Sequence, residues 1–399
     1  MPELVPSIVR RSDSKIVLVV MDGLGGVRTA ERGSEITEAR TPNLDRLAAE
    51  GSSGVHSVVA PGVTPGSGAG HLALFGYDPL VYKLGRGTLS AAGVAFDLRP
   101  GDVAARVNFC TLDEAGRVVD RRAGRIPTET NERLCKMITE AVKLEGGVEM
   151  FLVPEREHRA LLVLRGANLS PMLRDTDPGV VGITPNAPAA ITPEAEGTAI
   201  MLTRLLEQIR LMLWQEQANF ILLRGFDSVQ DLPRFEERYL LNARGIASYP
   251  MYLGIARLLG MAVSAPANSW DEVILDLKSS WDYYDYFFMH FKATDSAGED
   301  GDFDRKRAAI EQVDESIPQI ADLGPGVLCV TGDHSTPAPL MRHSWHPVPF
   351  LMWGPAVGVD PVTRFDEEAA RLGNFGHQMA RDLMTFMMAS TGRLSVYGA

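Results

Sequence analysis

The chain reads as a layered α/β protein, a sheet core with helices on both faces, carrying a smaller inserted α+β domain. Three observations predict it. Runs such as Ile16-Val-Leu-Val-Val-Met21, Tyr286-Phe-Phe-Met289 and Val327-Leu-Cys-Val330 have strand length and no polar interruption, as strands buried on both faces do. Helix-spaced segments alternate with such runs toward the C-terminus, as a layered sheet requires. Between residues 103 and 189 the texture changes to short β-like runs around one helix-like segment.

Taken in order, residues 1–102 form the first part of the core: strand, loop, helix, a Ser-Gly segment at 66–71 and a Gly-rich stretch through Gly101. Residues 103–189 form the insertion. In it Val103-Ala-Ala-Arg-Val-Asn-Phe109 and Ala160-Leu-Leu-Val-Leu164 flank a helical pattern around Thr130 to Val142, before Pro- and Asp-rich loops at 171–190. Residues 190–399 return to the core, with helical spacing from Pro193 to Gln217 and Phe220-Ile-Leu-Leu223 expected to resume a core strand.

Composition narrows the function classes. At 399 residues with 45% apolar content, the chain exceeds one ordinary core and can bury two. The net charge of −12, without a basic tract interleaved with aromatics, argues against nucleic acid as partner. Three cysteines, Cys110, Cys135 and Cys329, have neither an even count nor ligand spacing, which fits a reducing cytoplasm. No window approaches the roughly 18 uncharged apolar residues of a membrane span. The expectation is a cytoplasmic catalyst bound to neither membrane nor nucleic acid; a homo-oligomer is compatible with this composition.

Five segments place ligand or nucleophile side chains just after these strands or near them. Asp22 ends the first strand and precedes Gly23-Leu-Gly-Gly26; Asp333 and His334 end another, and His343 follows nine residues on. Asp295 and Glu299 follow Phe291 four residues apart, so one helical turn puts both on one face. Ser67 lies among small residues at a helix N-terminus, which suits a phosphate. Each alone has an ordinary reading as cap, turn or loop. Together they meet at one sheet edge, where α/β proteins bind ligands. Two divalent ions about 4 Å apart clamp a phosphoryl group and activate a nucleophilic oxygen, and this residue set offers what such a pair needs.

The segments M-D-G-L-G-G at 21–26, T-P-N-L-D at 41–45, G-S-G-A-G-H-L-A-L-F-G-Y-D-P at 66–79, G-R-G at 85–87, D-R-R-A-G-R at 120–125, R-G at 224–225, K-A-T-D at 292–295, T-G-D-H-S-T at 331–336 and H-S-W-H-P-V-P at 343–349 resemble the alkaline phosphatase superfamily. Within it they are closest to the archaeal-type cofactor-independent phosphoglycerate mutases. The resemblance implies an alkaline-phosphatase-like core and two divalent metal ions, Mn or Mg first, with Zn or Co as other candidates, and no 2,3-bisphosphoglycerate. One ion would be held by Asp22, Asp333, His334 and Ser67, the other by Asp295, His343 and residue 299, with Ser67 attacking phosphorus.

Position 299 departs from the family's T-D-x-A-G-H by carrying Glu299. Glu299 ligates directly, or His346 or His290 takes over, or the site is lost; direct ligation is favoured, and a carboxylate hardens the site toward Mn or Mg. Ser90 stands where relatives tend to carry Glu, and no mechanism attaches to it.

A small phosphorylated acid needs cations to outweigh the net charge. The resemblance assigns Asp120, Arg121, Arg125, Arg224 and Lys292 to substrate, with paired guanidinium hydrogen bonds as the physical reason. His71 either contacts substrate or packs locally. A hinge between core and insertion would exclude water from the reaction. The implied reaction is interconversion of 3-phosphoglycerate and 2-phosphoglycerate through a phosphoserine; the alternatives are a metal-dependent phosphatase, another phosphomutase, or a non-catalytic binder.

Overall fold

The structure is a computed structural model describing residues 7–229 and 232–398. It divides into two compact units, one of residues 7–83 with 232–398 and one of residues 84–229. Among the described residues no helix is long and apolar enough to cross a membrane.

The first unit is built on an eight-stranded mixed sheet. Its strands are β1 (Ile16–Met21), β2 (Ser52–Ser57), β8 (Ala243–Ala247), β9 (Ala262–Val263), β10 (Tyr286–Phe291), β11 (Val327–Thr331), β12 (Val348–Trp353) and β13 (Gly376–Met379), in the order β13-β2-β12-β11-β1-β10-β8-β9. β11, β1, β10 and β8 run parallel, so their carboxyl ends share one edge. β12 is antiparallel to both β11 and β2, which brings the start of β12 and the end of β2 to that edge too. Every residue of β1, β10 and β11 is buried, the signature of a sheet covered on both faces. Val17, Val19 and Met21 pack with helices Pro42–Glu50, Trp270–Ser280 and Phe303–Ala321. The opposite face carries Phe288 against His71 of helix Ser67–Leu74 and Phe75 just past its end. The expected α/β class is what forms.

The second unit holds β3 (Val103–Leu112), β4 (Val118–Asp120), β5 (Glu149–Pro154), β6 (Arg159–Arg165) and β7 (Phe220–Asp227). The run at Phe220 does not resume the core sheet: β7 pairs antiparallel with β3, from Cys110↔Phe220 to Ala104↔Asp227. Its apolar pattern suits either sheet, and partner choice is non-local. Alternation along β3 sends Val103, Ala105, Val107 and Phe109 into a core with Leu134 and Ile138 of helix Thr128–Ala141 and Leu202, Leu205 and Ile209 of helix Glu196–Leu213. Arg106 and Asn108 therefore face the other way.

Candidate active site

Three neighbouring strands of the first unit's shared edge, β10, β1 and β11, deliver candidate ligands at or just past their ends. Asp22 follows β1, Lys292 and Asp295 follow β10, and Asp333 and His334 follow β11. Two glycines make room. Gly23 has φ +62, and a Cβ there would lie 2.7 Å from Asp295 Oδ1; a Cβ on Gly70 would lie 2.5 Å from the Asp333 carbonyl oxygen. Ser67 begins helix Ser67–Leu74.

His334 Nε2 is the meeting point, 3.3 Å from Ser67 Oγ, from Asp22 Oδ1 and from Asp333 Oδ2. Asp22, Asp333 and His334 are buried, yet Asp22 Oδ1 and Asp333 Oδ2 receive no hydrogen bond. A buried carboxylate oxygen without a donor is costly unless a cation meets it. The Thr336 hydroxyl donates to Asp295 Oδ1 (2.6 Å), so it accepts from His334 Nδ1–H (3.0 Å), leaving Nε2 as the atom that faces both carboxylates. Burial opposes charge on His334, but Asp333 and then Asp22 outweigh it and push the imidazole up to about 9. A divalent ion satisfies the same carboxylates that favour that proton.

A second set adjoins the first. His343 Nδ1 lies 3.1 Å from the Pro65 carbonyl, which can only accept, so Nε2 keeps its lone pair 3.6 Å from Asp295 Oδ1 and 3.7 Å from Glu299 Oε1. Lone pair and carboxylates facing one another fit a shared cation. Glu299 ends helix Ala293–Glu299, one turn after Asp295. Of the alternatives at this position, His346 Nδ1 bonds Ser344 Oγ and its ring stacks on Trp345, while His290 is buried, stacked on Tyr252 and 3.3 Å from Asp22 Oδ2. Of the three, Glu299 is the one with an oxygen near His343, 3.7 Å from Nε2, while the close cluster of ligand atoms here is Asp295, His334 and His343.

Lys292 Nζ donates to Asp22 Oδ2 (2.9 Å) and Asp295 Oδ2 (2.6 Å), joining the two sets. Burial disfavours its charge, yet Asp22 and Asp295 hold the ammonium above its usual range. His71 shows the packed alternative: it is fully buried, its Nδ1–H donates to the Ser67 carbonyl (2.8 Å), and its ring lies 4.5 Å from that of Tyr252. Tyr252 escaped the sequence reading. Its hydroxyl donates to Asp22 Oδ2, and burial, then Asp22, raises its pKa and keeps it a donor. The available signal was Tyr249-Pro-Met-Tyr252, a helix start directly after parallel strand β8.

In the second unit a cavity of about 200 Å³ is lined by Arg86, Arg106, Arg121, Arg122, Arg159 and Arg224 with Asn108 and His158. Arg121 forks onto Asp177 through Nε and Nη2 at 2.9 and 2.8 Å, and Arg224 Nε lies 3.4 Å from the same carboxylate. Burial, then the like charges of Arg224 and Arg106, press the Arg86 guanidinium below its usual value, a strain that an anion relieves. Of the expected set, Arg121 and Arg224 line the cavity. Arg122 does so in place of Arg125, which is exposed with φ +55. Asp120 accepts from the Arg122 and Gly124 amides and holds the turn.

With this geometry in view, relatives decide the family. A Thermus thermophilus protein named as a probable 2,3-bisphosphoglycerate-independent phosphoglycerate mutase is 47% identical over 98% of each chain. The chain belongs to the 2,3-bisphosphoglycerate-independent phosphoglycerate mutase family. A counterpart from Aquifex aeolicus with the same name is 43% identical over 100% of both chains. The profile of this mutase family matches residues 48–219. Among solved structures, a Pyrococcus horikoshii protein aligns with a TM-score of 0.80 at 29% identity, covering 97% of this chain and 99% of its own. The cofactor-independent phosphoglycerate mutase from Thermoplasma acidophilum aligns at 0.72 with 30% identity, covering 95% and 100%. As a member of the mutase family the chain is an enzyme, and metal use accords with two clusters of ligand atoms, Asp22, Asp333 and His334, and Asp295, His334 and His343.

Proposed function

We propose that the chain interconverts 3-phosphoglycerate and 2-phosphoglycerate through a phosphoserine on Ser67, without 2,3-bisphosphoglycerate. The observation that carries this reading is the convergence of Ser67 Oγ, Asp22 and Asp333 on His334 Nε2, each at 3.3 Å. Two divalent ions, Mn or Mg, held by Asp22, Asp333, His334 and Ser67 and by Asp295, Glu299 and His343, would supply the positive charge that lowers the proton affinity of the serine and stabilises the transferring group.

Ser67 Oγ loses its proton and forms a bond to phosphorus as the bond to the substrate's C3 oxygen breaks; that oxygen takes up a proton. Glycerate is retained, its C2 hydroxyl attacks the phosphoserine, and Ser67 regains its proton. Lys292 orients Asp22 and Asp295, and Tyr252 donates to the same Asp22 oxygen as Lys292. Arg86, Arg121, Arg122 and Arg224 provide the guanidinium donors that a carboxylate and a phosphate demand.

Incubation with 3-phosphoglycerate and Mn, followed by phosphorus NMR, is the test. The 2-phosphoglycerate resonance should grow to equilibrium with little inorganic phosphate. Inorganic phosphate as the sole product would make the chain a phosphatase and reject the reading.

A further inference from the structure

We propose that the two ligand sets are unequal and fill in order: Asp22, Asp333, His334 and Ser67 bind a slowly exchanging divalent ion, whereas Asp295, Glu299 and His343 bind the second weakly, reversibly and with a preference for Mn or Mg set by Glu299. The inference rests on the two-ion reading above.

Three differences between the sets carry it. The first is burial. Asp22, Asp333 and His334 are 0%, 0% and 1% exposed; in the second set Asp295 is buried as deeply, at 1%, but the side chains of His343 and Glu299 are 24% and 55% exposed. Attraction between ion and ligand strengthens as water is excluded, and release from a dry set requires water to enter.

The second is competition. Asp22 Oδ1 and Asp333 Oδ2 receive no hydrogen bond, but both oxygens of Asp295 are engaged, Oδ1 by Thr336 and Oδ2 by Lys292, each at 2.6 Å. Lys292 and Tyr252 also donate to Asp22, but both to Oδ2, leaving Oδ1 open; an ion joining Asp295 must displace or share with a donor at either oxygen.

The third is the ligand at 299. Glu299 sits on the last turn of its helix, where the backbone dipole opposes a carboxylate, and its long exposed side chain must be ordered to ligate. These costs weaken the set. The carboxylate nonetheless gives it two hard oxygen donors to one imidazole, a composition that favours Mn and Mg over Zn. The outer set would then follow the free concentration of divalent ion, with the inner ion always in place.

The test uses the full chain stripped by chelator and titrated with Mn, with native mass spectrometry counting bound ions. One equivalent should give mainly the singly loaded species. The second ion should bind roughly tenfold or more weakly and leave first on dilution into chelator. Glu299→Gln should weaken the second step roughly tenfold and leave the first within about twofold. Glu299→His should keep the second step and shift it toward Zn when Mn and Zn compete. Because residue 299 is half exposed, both variants should retain the wild-type circular dichroism. Two ions of equal affinity, or a second step that Glu299→Gln does not move, would overturn the inference while the two-ion reading stands. Binding of one ion or none at saturation would overturn both.

Discussion

The metal edge of the first unit and the arginine cavity of the second are opposites in charge and in construction. At the edge, Asp22, Asp295 and Asp333 crowd around two imidazoles, and carboxylate oxygens lack donors. In the cavity six guanidiniums share few acids, chiefly Asp177. One region asks for cations and the other for an anion. The edge takes its carboxylates from the ends of parallel strands, whereas the cavity takes part of its lining from a strand face, Arg106 and Asn108 on β3 with Arg224 opposite Arg106 on β7. The proposed reaction, moving a phosphoryl group on a carboxylic acid, would call on both kinds of charge, and six arginines can offset the negative net charge locally.

The comparison is broken most severely by Asp333→Asn, which keeps the shape but removes a buried charge from the His334 set. Turnover should fall by several kcal/mol in transition-state stabilisation, roughly a thousandfold, and the rise in melting temperature on adding Mn should shrink. In the cavity, Arg121→Ala should lower kcat/KM ten- to hundredfold, mostly through KM, and leave Mn binding unchanged. A loss of Mn binding there would show that the two regions are not separate in function. Tyr252→Phe sharpens the account of the edge: losing one hydrogen bond to Asp22 should lower kcat roughly tenfold with KM little changed.

A further effect is read in stability, at His158 in the cavity lining. Burial, more than neighbouring Arg159, pushes His158 down to about 4 from the ordinary 6.5. The folded chain therefore keeps this ring neutral where the unfolded chain protonates it. The stability it contributes is complete above about pH 6.5 and falls as pH drops toward 4, by on the order of 2 kcal/mol. Denaturant melts of wild type and His158→Gln across pH 4–7 should differ in that slope; parallel curves would refute the assignment.

What the residues reveal before folding follows the same division. Asp22, Asp295, Asp333 and His334 are legible because each abuts an apolar run that fixes its place at a strand end. Arg86, Arg106 and Arg159 are not, because they are scattered in sequence and gathered only by strand pairing and alternation. The run Phe220-Ile-Leu-Leu223 was placed in the wrong sheet for the same reason: a buried strand carries no mark of its partner. Arg125, expected at the substrate, stands exposed in the turn Ala123-Gly124-Arg125, all at positive φ, whereas Arg122 lines the cavity. Local pattern locates a strand's end; it does not say which strands will lie beside it.

The central claim is that Ser67 carries the phosphoryl group between the two hydroxyls. Intact mass spectrometry after rapid acid quench of the Mn-loaded enzyme with 3-phosphoglycerate tests it most directly. A gain of one phosphoryl mapping to Ser67, absent in Ser67→Ala, is the expected result. A phosphoryl group on another residue, or turnover retained by Ser67→Ala, would contradict it.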